Sequence, residues 1–459
     1  MLKKFITLIV VSVSLGFLSR GVGLSVHQAT AVTIFSVSIL GTLIFWNFRL
    51  SFAFLGTSVL LLSRTIDIEH LIRFSSLEII LFLVGMMVII GLLKEEGLFA
   101  WLVSMILRIP HLTAKKFFFA ISILSALLAC AIDEVTSIIF MVAAIIEICD
   151  YFEIDPRPFI ICSVMTTNIG SAGTVLGNPI GILIATKAGL SFEDFIIKAF
   201  PLMLLCLCAA VFVLLIWYQK AIRELDQQIK RFGANEILMR LISVPPERHL
   251  KISLVIFIFT LVFISLHHRL ELALSLEKNT ILLVAPLFSA GIIMLWKWRK
   301  AREFIEKDVE WWTLLFFMLL FAQAGTLKYT GASDILAQRL VAFAGNNLDV
   351  LKGIVVWLSA IGSSILDNVV LVASFIPVMQ SFQSMHVNLQ SLWWALLFGG
   401  CFGGNITFVG STANIVALGI LEKEKNIRMT FFQWFWIGLT VGIITTAIVW
   451  IVLLVVPWY

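Results

Sequence analysis

Two aspartates set inside apolar stretches, Asp133 and Asp367, are the residues of this sequence best suited to handle a cation. A carboxylate taken into apolar surroundings resists ionisation, and a bound cation relieves that penalty. A proton and a metal ion can therefore compete for one such group, which is the elementary chemistry of exchange. Glu134 directly follows Asp133 and is placed to share or relay a proton, whereas Asn368 follows Asp367 and offers a neutral amide. The alternative role for each aspartate is an internal hydrogen-bond or salt-bridge anchor.

A second set of polar residues lies where the backbone must break. Thr166 to Pro179 contains Asn168, Gly170, Gly173, Thr174, Gly177 and Asn178, and Gly399 to Asn414 contains Asn405, Thr407, Gly410, Ser411, Thr412 and Asn414. Glycine permits close approach and unusual dihedrals, and proline removes an N–H, so both stretches favour non-helical backbone inside apolar segments. Such breaks at membrane depth are tolerated where they line a site. Their amides, hydroxyls and freed backbone groups can coordinate sodium through oxygen or hold an oxyanion with N–H donors. Polarity alone does not choose between the two.

These features occur twice. Gly91 to Gly97 resembles Gly325 to Gly331 at a spacing of 234 residues, and Asp133 and Val135 fall on Asp367 and Val369 at that same spacing. One residue less brings Thr174-Val175-Leu176-Gly177 onto Thr407-Phe408-Val409-Gly410. Three ordered matches at nearly fixed separation argue for two structural repeats.

The elements that must carry these residues are membrane helices. Of 459 residues, 60% are hydrophobic and only 13% charged, with a mean hydropathy of +1.03. That apolar excess belongs to lipid-facing and helix-packing positions of an integral membrane protein. The formal charge of +5 resides mainly in short connections and bears on topology and contact with lipid; no basic face or motif for nucleic acid is present. Six cysteines without metal-ligand spacing read as small buried hydrophobes. No P-loop, HExxH, dinucleotide fingerprint or GxSxG elbow occurs in a credible setting, so neither ATP-driven transport by this chain alone nor enzymatic chemistry is expected, and no cofactor.

In chain order, residues 1–74 read as N-terminal scaffold helices, with apolar segments at 5–19, 30–46 and 50–63. The first follows Met1-Leu2-Lys3-Lys4 and reads as a retained helix. Residues 75–218 form a first transport repeat: a helix over 77–93, an interfacial helix over 98–108 ending before Pro110, a re-entrant hairpin or joined pair broken at Asp133-Glu134, and a broken helix around 170–181. Ser191 is a candidate cap before a long span at 199–218. The polar stretch 219–251, rich in Lys220, Arg223, Lys230, Arg231 and Arg240, reads as a cytoplasmic linker. A scaffold pair at 252–266 and 280–296 follows, joined by a turn holding His267 and His268, and the unit extends to residue 310. Residues 311–459 form the second repeat, with a turn over Gly399 to Asn405 and a final span at 434–456, where Trp450 and Trp458 mark interface depth.

The segments Gly85-Met86-Met87 through Gly97, Ile132 to Thr136, Asn168 to Pro179, Leu366 to Val369 and Gly403 through Asn414 resemble the ion-transporter superfamily, most closely its branch of arsenite permeases, NhaD-type sodium/proton antiporters and P proteins. The resemblance spans roughly residues 75–455. It implies an all-α polytopic membrane protein with two inverted repeats, each with a re-entrant hairpin and a discontinuous transmembrane helix, assembled as a homodimer with scaffold and moving parts. It implies that Asp133 and Asp367 match the family's acids, as transient sodium sites, and that Thr174, Gly177, Thr407, Gly410 and Asn414 match its substrate loops. Three departures stand out: Gly181 where the second loop has Asn414, Glu134 where the pattern has an amide, and Val370 where it has a hydroxyl. They argue against dicarboxylate transport. The expected function is secondary active exchange of sodium, or another monovalent cation, for protons by alternating access, with arsenite or carboxylate permeation as the alternative. A bacterial inner membrane with a cytoplasmic N-terminus is the expected setting.

Overall fold

In the computed structural model the described residues are 2–21, 23–107, 109, 113–232, 248–345, 347–385, 387 and 389–457. Met1, Pro110, Arg240 and Trp458, named above, lie outside them, as does position 108 at the end of the expected interfacial helix. Every regular element among the described residues is helical, and nine of those helices are long and apolar enough to cross a membrane.

Broken helices are a main feature. Ala114–Ala131 stops at Ile132, and Glu134–Tyr151 starts anew with Asp133 at its N-cap. Arg157–Gly170 and Pro179–Ala188 are separated by a non-helical loop, with Asn178 capping the second piece. The second half does the same. Leu348–Ile365 and Asn368–Ser384 break at Asp367, and Gln390–Gly403 and Thr412–Lys425 break at a loop ended by Ser411. In each case a short oxygen-bearing side chain accepts the orphan N–H groups of the new helix, which lets it begin away from water.

The halves pack by the same contacts. A Cβ on Gly170 would lie 2.5 Å from the Cα of Ala126, and a Cβ on Gly403 would lie 2.5 Å from the Cα of Ala360. Those glycines let Arg157–Gly170 touch the backbone of Ala114–Ala131, and Gln390–Gly403 that of Leu348–Ile365. Gly170→Ala and Gly403→Ala are each expected to cost about 1–3 kcal/mol, because backbone cannot yield as a flexible side chain does. The thermal midpoint of each purified variant in detergent measures this, and unchanged midpoints would show that the helices can part freely.

Around these units the helices interlace. Leu77–Glu95 packs along Thr280–Trp296, where Gly85 lies against the backbone of Pro286. Trp311–Tyr329 packs along Arg49–Leu62, and buried Gln323 donates from Nε2 to the carbonyl of Ala53 at 2.8 Å and to Thr57 Oγ1 at 3.1 Å. The turn at Lys94 to Gly97 is clasped by ion pairs from Glu95 to Lys300 at 2.5 Å and from Glu96 to Lys297 at 2.6 Å.

Two expectations require correction. His267 and His268 begin a helix, His267–Leu274, instead of lying in a turn. The turn comes later, where buried Glu271 accepts from the amides of Asn279 and Ile281 and so supports the start of Thr280–Trp296. Gly399 to Gly403 are helical, since their lack of side chains serves close packing on Val356 and Ala360, and the break starts at Gly404. The polar stretch after Trp217 opens as an amphipathic helix, Gln219–Phe232, which packs on Ala114–Ala131 through Ile222 and Leu225.

Candidate functional site

The two aspartates share a capping role and differ in everything else. Asp133 Oδ1 accepts from the amides of Val135 and Thr136, both at 2.9 Å. Asp367 Oδ1 accepts from the amide of Val369 at 3.1 Å, and its Oδ2 accepts from the amide and hydroxyl of Thr412 at 3.0 and 2.6 Å. Asp367 thus clasps the start of the opposite broken helix. The position matching Thr412 in the first loop is Pro179, which has neither N–H nor hydroxyl, so Asp133 has no such clasp to make. Asp133 is half-buried and lines a cavity, while Asp367 is buried.

The residues that follow the aspartates meet each other. Glu134 is buried, and both its oxygens receive Nδ2 of buried Asn368, at 3.1 and 3.4 Å. The corresponding positions of the two halves therefore touch at the centre of the molecule.

Most of the loop residues are consumed in holding the breaks together. The Thr174 hydroxyl donates to the carbonyl of Cys130, and the Thr407 hydroxyl donates to the carbonyl of Ser364 at 2.5 Å, the same bond in each half. Gly177 packs on the backbone of Ser171 and Gly410 on that of Ser363. Asn168 Nδ2 donates to Oδ1 of both Asn405 and Asn414 at 2.8 Å, and its Oδ1 accepts from Ser411 at 3.2 Å. Reciprocally, Asn178 Nδ2 reaches Cys401 Sγ at 3.1 Å and Ser171 Oγ at 2.9 Å. A spacing of 233 pairs Asn168 with Cys401 and Asn178 with Ser411, so these are one contact made twice with different chemistry. Such a buried network, fully satisfied, fixes one arrangement of the loops.

A cavity of about 180 Å³ collects the rest. Asp133, Glu134, Asn178 and Thr412 line it; Asn168, Thr174, Gly177, Asp367, Asn368, Asn405, Thr407, Gly410, Ser411 and Asn414 stand behind or beside them. The opposite wall holds Lys94, Lys307, Asp308, Glu310 and Thr313. Lys94 pairs with Asp308 at 3.6 Å. Buried Arg49 donates from Nη2 to Thr313 Oγ1 at 3.0 Å, and that hydroxyl donates to Glu310 at 3.2 Å. The guanidinium also sits over the rings of Trp46 and Phe316, at 4.3 and 5.3 Å from their centroids, a geometry suited to a desolvated cation.

In the sequence Arg49 sits between the apolar segments 30–46 and 50–63, and Asp308, Glu310 and Thr313 belong to none of the repeated motifs. The available signal was weak: Glu310 immediately precedes an apolar run, as Ser76 does 234 residues earlier. Among the described residues no group of three or more His, Cys, Asp or Glu is set to hold a metal ion.

Multiple membrane-length helices, paired breaks at membrane depth and an acidic cavity between them define a polytopic transport protein. A family model described as "Citrate transporter" matches residues 41–399, and the chain belongs to that family. This places it in the superfamily branch that its motifs resemble. A protein of Mycobacterium tuberculosis named as an uncharacterized transporter is 29% identical over 377 residues, 81% of this chain and 84% of that relative. The 46 kDa membrane protein of Mycobacterium leprae is 27% identical over 378 residues, 81% and 84% of the two chains. The human P protein is 26% identical over 451 residues, which cover 83% of this chain and 54% of that protein.

Proposed function

We propose that this protein exchanges a monovalent cation, sodium first among them, for protons by secondary active transport. The observation that carries this is the charge of the cavity wall. Asp133, Glu134, Asp308 and Glu310 line it together with Lys94 and Lys307, and Lys94 is already paired with Asp308. An excess of carboxylates beside a half-buried aspartate favours a cation or a proton over an anion.

The helix starts that would otherwise attract an oxyanion are occupied from within. Asp367 takes the amide of Thr412, and Asn178 Oδ1 takes the amide of Gly181 at 2.8 Å. In this mechanism Asp133 alternates between protonated and ion-bound states. Asn178 and Thr412 supply neutral oxygens to the ion, Glu134 adds charge, and Asp367 holds the second loop in place. Inverted repeats then allow the site to face either side of a bacterial plasma membrane.

Carboxylate permeation is the second reading, favoured by the family's description and by Lys94 and Lys307 on the cavity wall. Counterflow of ²²Na⁺ and of labelled citrate into proteoliposomes loaded with each unlabelled solute separates the two. Sodium counterflow that citrate does not inhibit supports the cation; citrate counterflow without sodium counterflow moves the function to the anion.

A further inference from the structure

The cavity at Asp133 has a counterpart. A second, small cavity of about 40 Å³ is lined by Phe74, Ser76, Phe321, Ala324, Gly325 and Ala373, among others. A spacing of 234 turns those six residues into Asp308, Glu310, Met87, Ile90, Gly91 and Ile139, all of which line the large cavity. The two cavities are therefore the same place in the two halves, at different volumes.

They also lie at opposite ends of the same two helices. The large cavity runs along Leu77–Glu95 from Phe82 to its far end at Lys94 and meets the start of Trp311–Tyr329, at Thr313 to Phe317. The small one takes Ser76, at the start of the first helix, and Phe321 to Gly325, in the later part of the second. Both helices are of membrane-crossing length and composition. One cavity consequently faces each side of the membrane.

What fills the small cavity is visible at one contact. In the large cavity the side chain of Asp308 rests on Gly91, where an added Cβ would come within 2.8 Å of it. In the small cavity the equivalent contact is Phe74 on Gly325, with the ring lying closer still. Phe74 ends the helix Ile68–Phe74, which is clasped to the end of Trp311–Tyr329 by a ring contact of His70 with Tyr329 at 4.5 Å between centroids and by the Tyr329 hydroxyl on Asp67 at 3.3 Å. Two residues on, Ser76 takes a left-handed conformation at φ 50, which is strained for a non-glycine residue and persists where packing fixes it.

We propose that the small cavity is the closed second mouth of the transport site, that Phe74 is its plug, and that the structure is open on the Asp308 side alone. This rests on the exchange reading for its purpose but not for its test. The two mouths differ in chemistry: the open one is edged by Lys94, Lys307, Asp308 and Glu310, whereas the positions equivalent to Asp308 and Glu310 at the closed one are Phe74 and Ser76. At the closed mouth Lys187 lines the edge and pairs with Glu78 at 3.3 Å, so an ion entering there, once it opens, passes a lysine–glutamate pair where the open mouth has Asp308 and Glu310.

The test is thiol labelling with a membrane-impermeant methanethiosulfonate reagent in vesicles of known orientation, in a Cys208→Ser background because that cysteine is exposed. Ile90→Cys is expected to label from one side and Ala324→Cys to stay unlabelled. Adding Phe74→Ala is expected to speed labelling of Ala324→Cys by about tenfold, from the opposite side only. Phe74→Leu, which keeps most of the volume, serves as a second variant and is expected to give a smaller increase. Labelling of Ala324→Cys from the Ile90 side, or no gain in either Phe74 variant that elutes as a folded protein, overturns the proposal. No step depends on the identity of the ion, so a protein that labels as expected yet moves no cation refutes the exchange function while leaving the plug intact.

Discussion

Asp133→Asn is expected to abolish cation-dependent proton movement, by about a hundredfold or more, while leaving the protein folded. Asparagine is as good an N-cap as aspartate, and its amide oxygen can still accept from Val135 and Thr136, the two bonds that Asp133 makes at its own helix start. The substitution therefore removes the charge and the titration and little else. Flux measured against unchanged thermal stability checks it. A folded Asp133→Asn protein with full coupled flux would move the chemistry to Glu134 or Glu310. Asp133→Glu, which restores the charge on a longer arm, is expected to recover part of the activity with weaker cation affinity.

Loss of Asp367 is expected to act the other way, on the fold before the transport step. Its carboxylate satisfies the amides of Val369 and Thr412 and the hydroxyl of Thr412, and all of it is buried. Asp367→Ala leaves the amide and hydroxyl of Thr412 without this acceptor, while the Val369 amide keeps Asn368 Oδ1 at 2.9 Å, and is expected to cost about 2–5 kcal/mol, since each buried group left unmatched costs about 1–3 kcal/mol. Asp367→Asn keeps the cap on Val369 and sets an N–H₂ against the Thr412 amide, so its loss is expected to be smaller, about 1–3 kcal/mol. Thermal unfolding in detergent reads both. Full stability with lost transport in Asp367→Ala would make Asp367 an ion ligand instead of a clasp.

That division between the two aspartates shows what a sequence can carry. Asp133 and Asp367 were legible as the sites of helix breaks because acids interrupt apolar runs, and a side-chain acceptor is what a helix start at membrane depth requires. Thr174 and Thr407 were legible as a matched pair, but their matching role as tethers to Cys130 and Ser364 was not, because it depends on which carbonyl a break leaves open. The loop polarity therefore looked like ligand chemistry, whereas in Asn168, Asn405 and Asn414 most of it is spent on mutual hydrogen bonds.

The far wall of the cavity was the least legible part. Arg49 and Thr313 are 264 residues apart, and an arginine between two apolar segments reads as a solvated connection until Trp46 and Phe316 are seen to enclose it. His267 and His268 misled for the opposite reason. A polar pair between apolar runs usually marks a turn, but here Glu271, four residues beyond His267, supports the next helix and lets the histidines remain helical. The difference between Pro179 and Thr412, by contrast, is present in the sequence once the halves are aligned, and it is the residue-level reason why the two aspartates have diverged.

The most direct measurement of the central claim is internal pH in proteoliposomes after separate pulses of Na⁺, Li⁺, K⁺, arsenite and citrate, with Asp133→Asn beside the unsubstituted protein. Proton movement that requires Na⁺ or Li⁺ and vanishes in folded Asp133→Asn is the predicted result. Proton movement driven by arsenite or citrate, unaffected by Na⁺ and surviving the loss of Asp133, would contradict it.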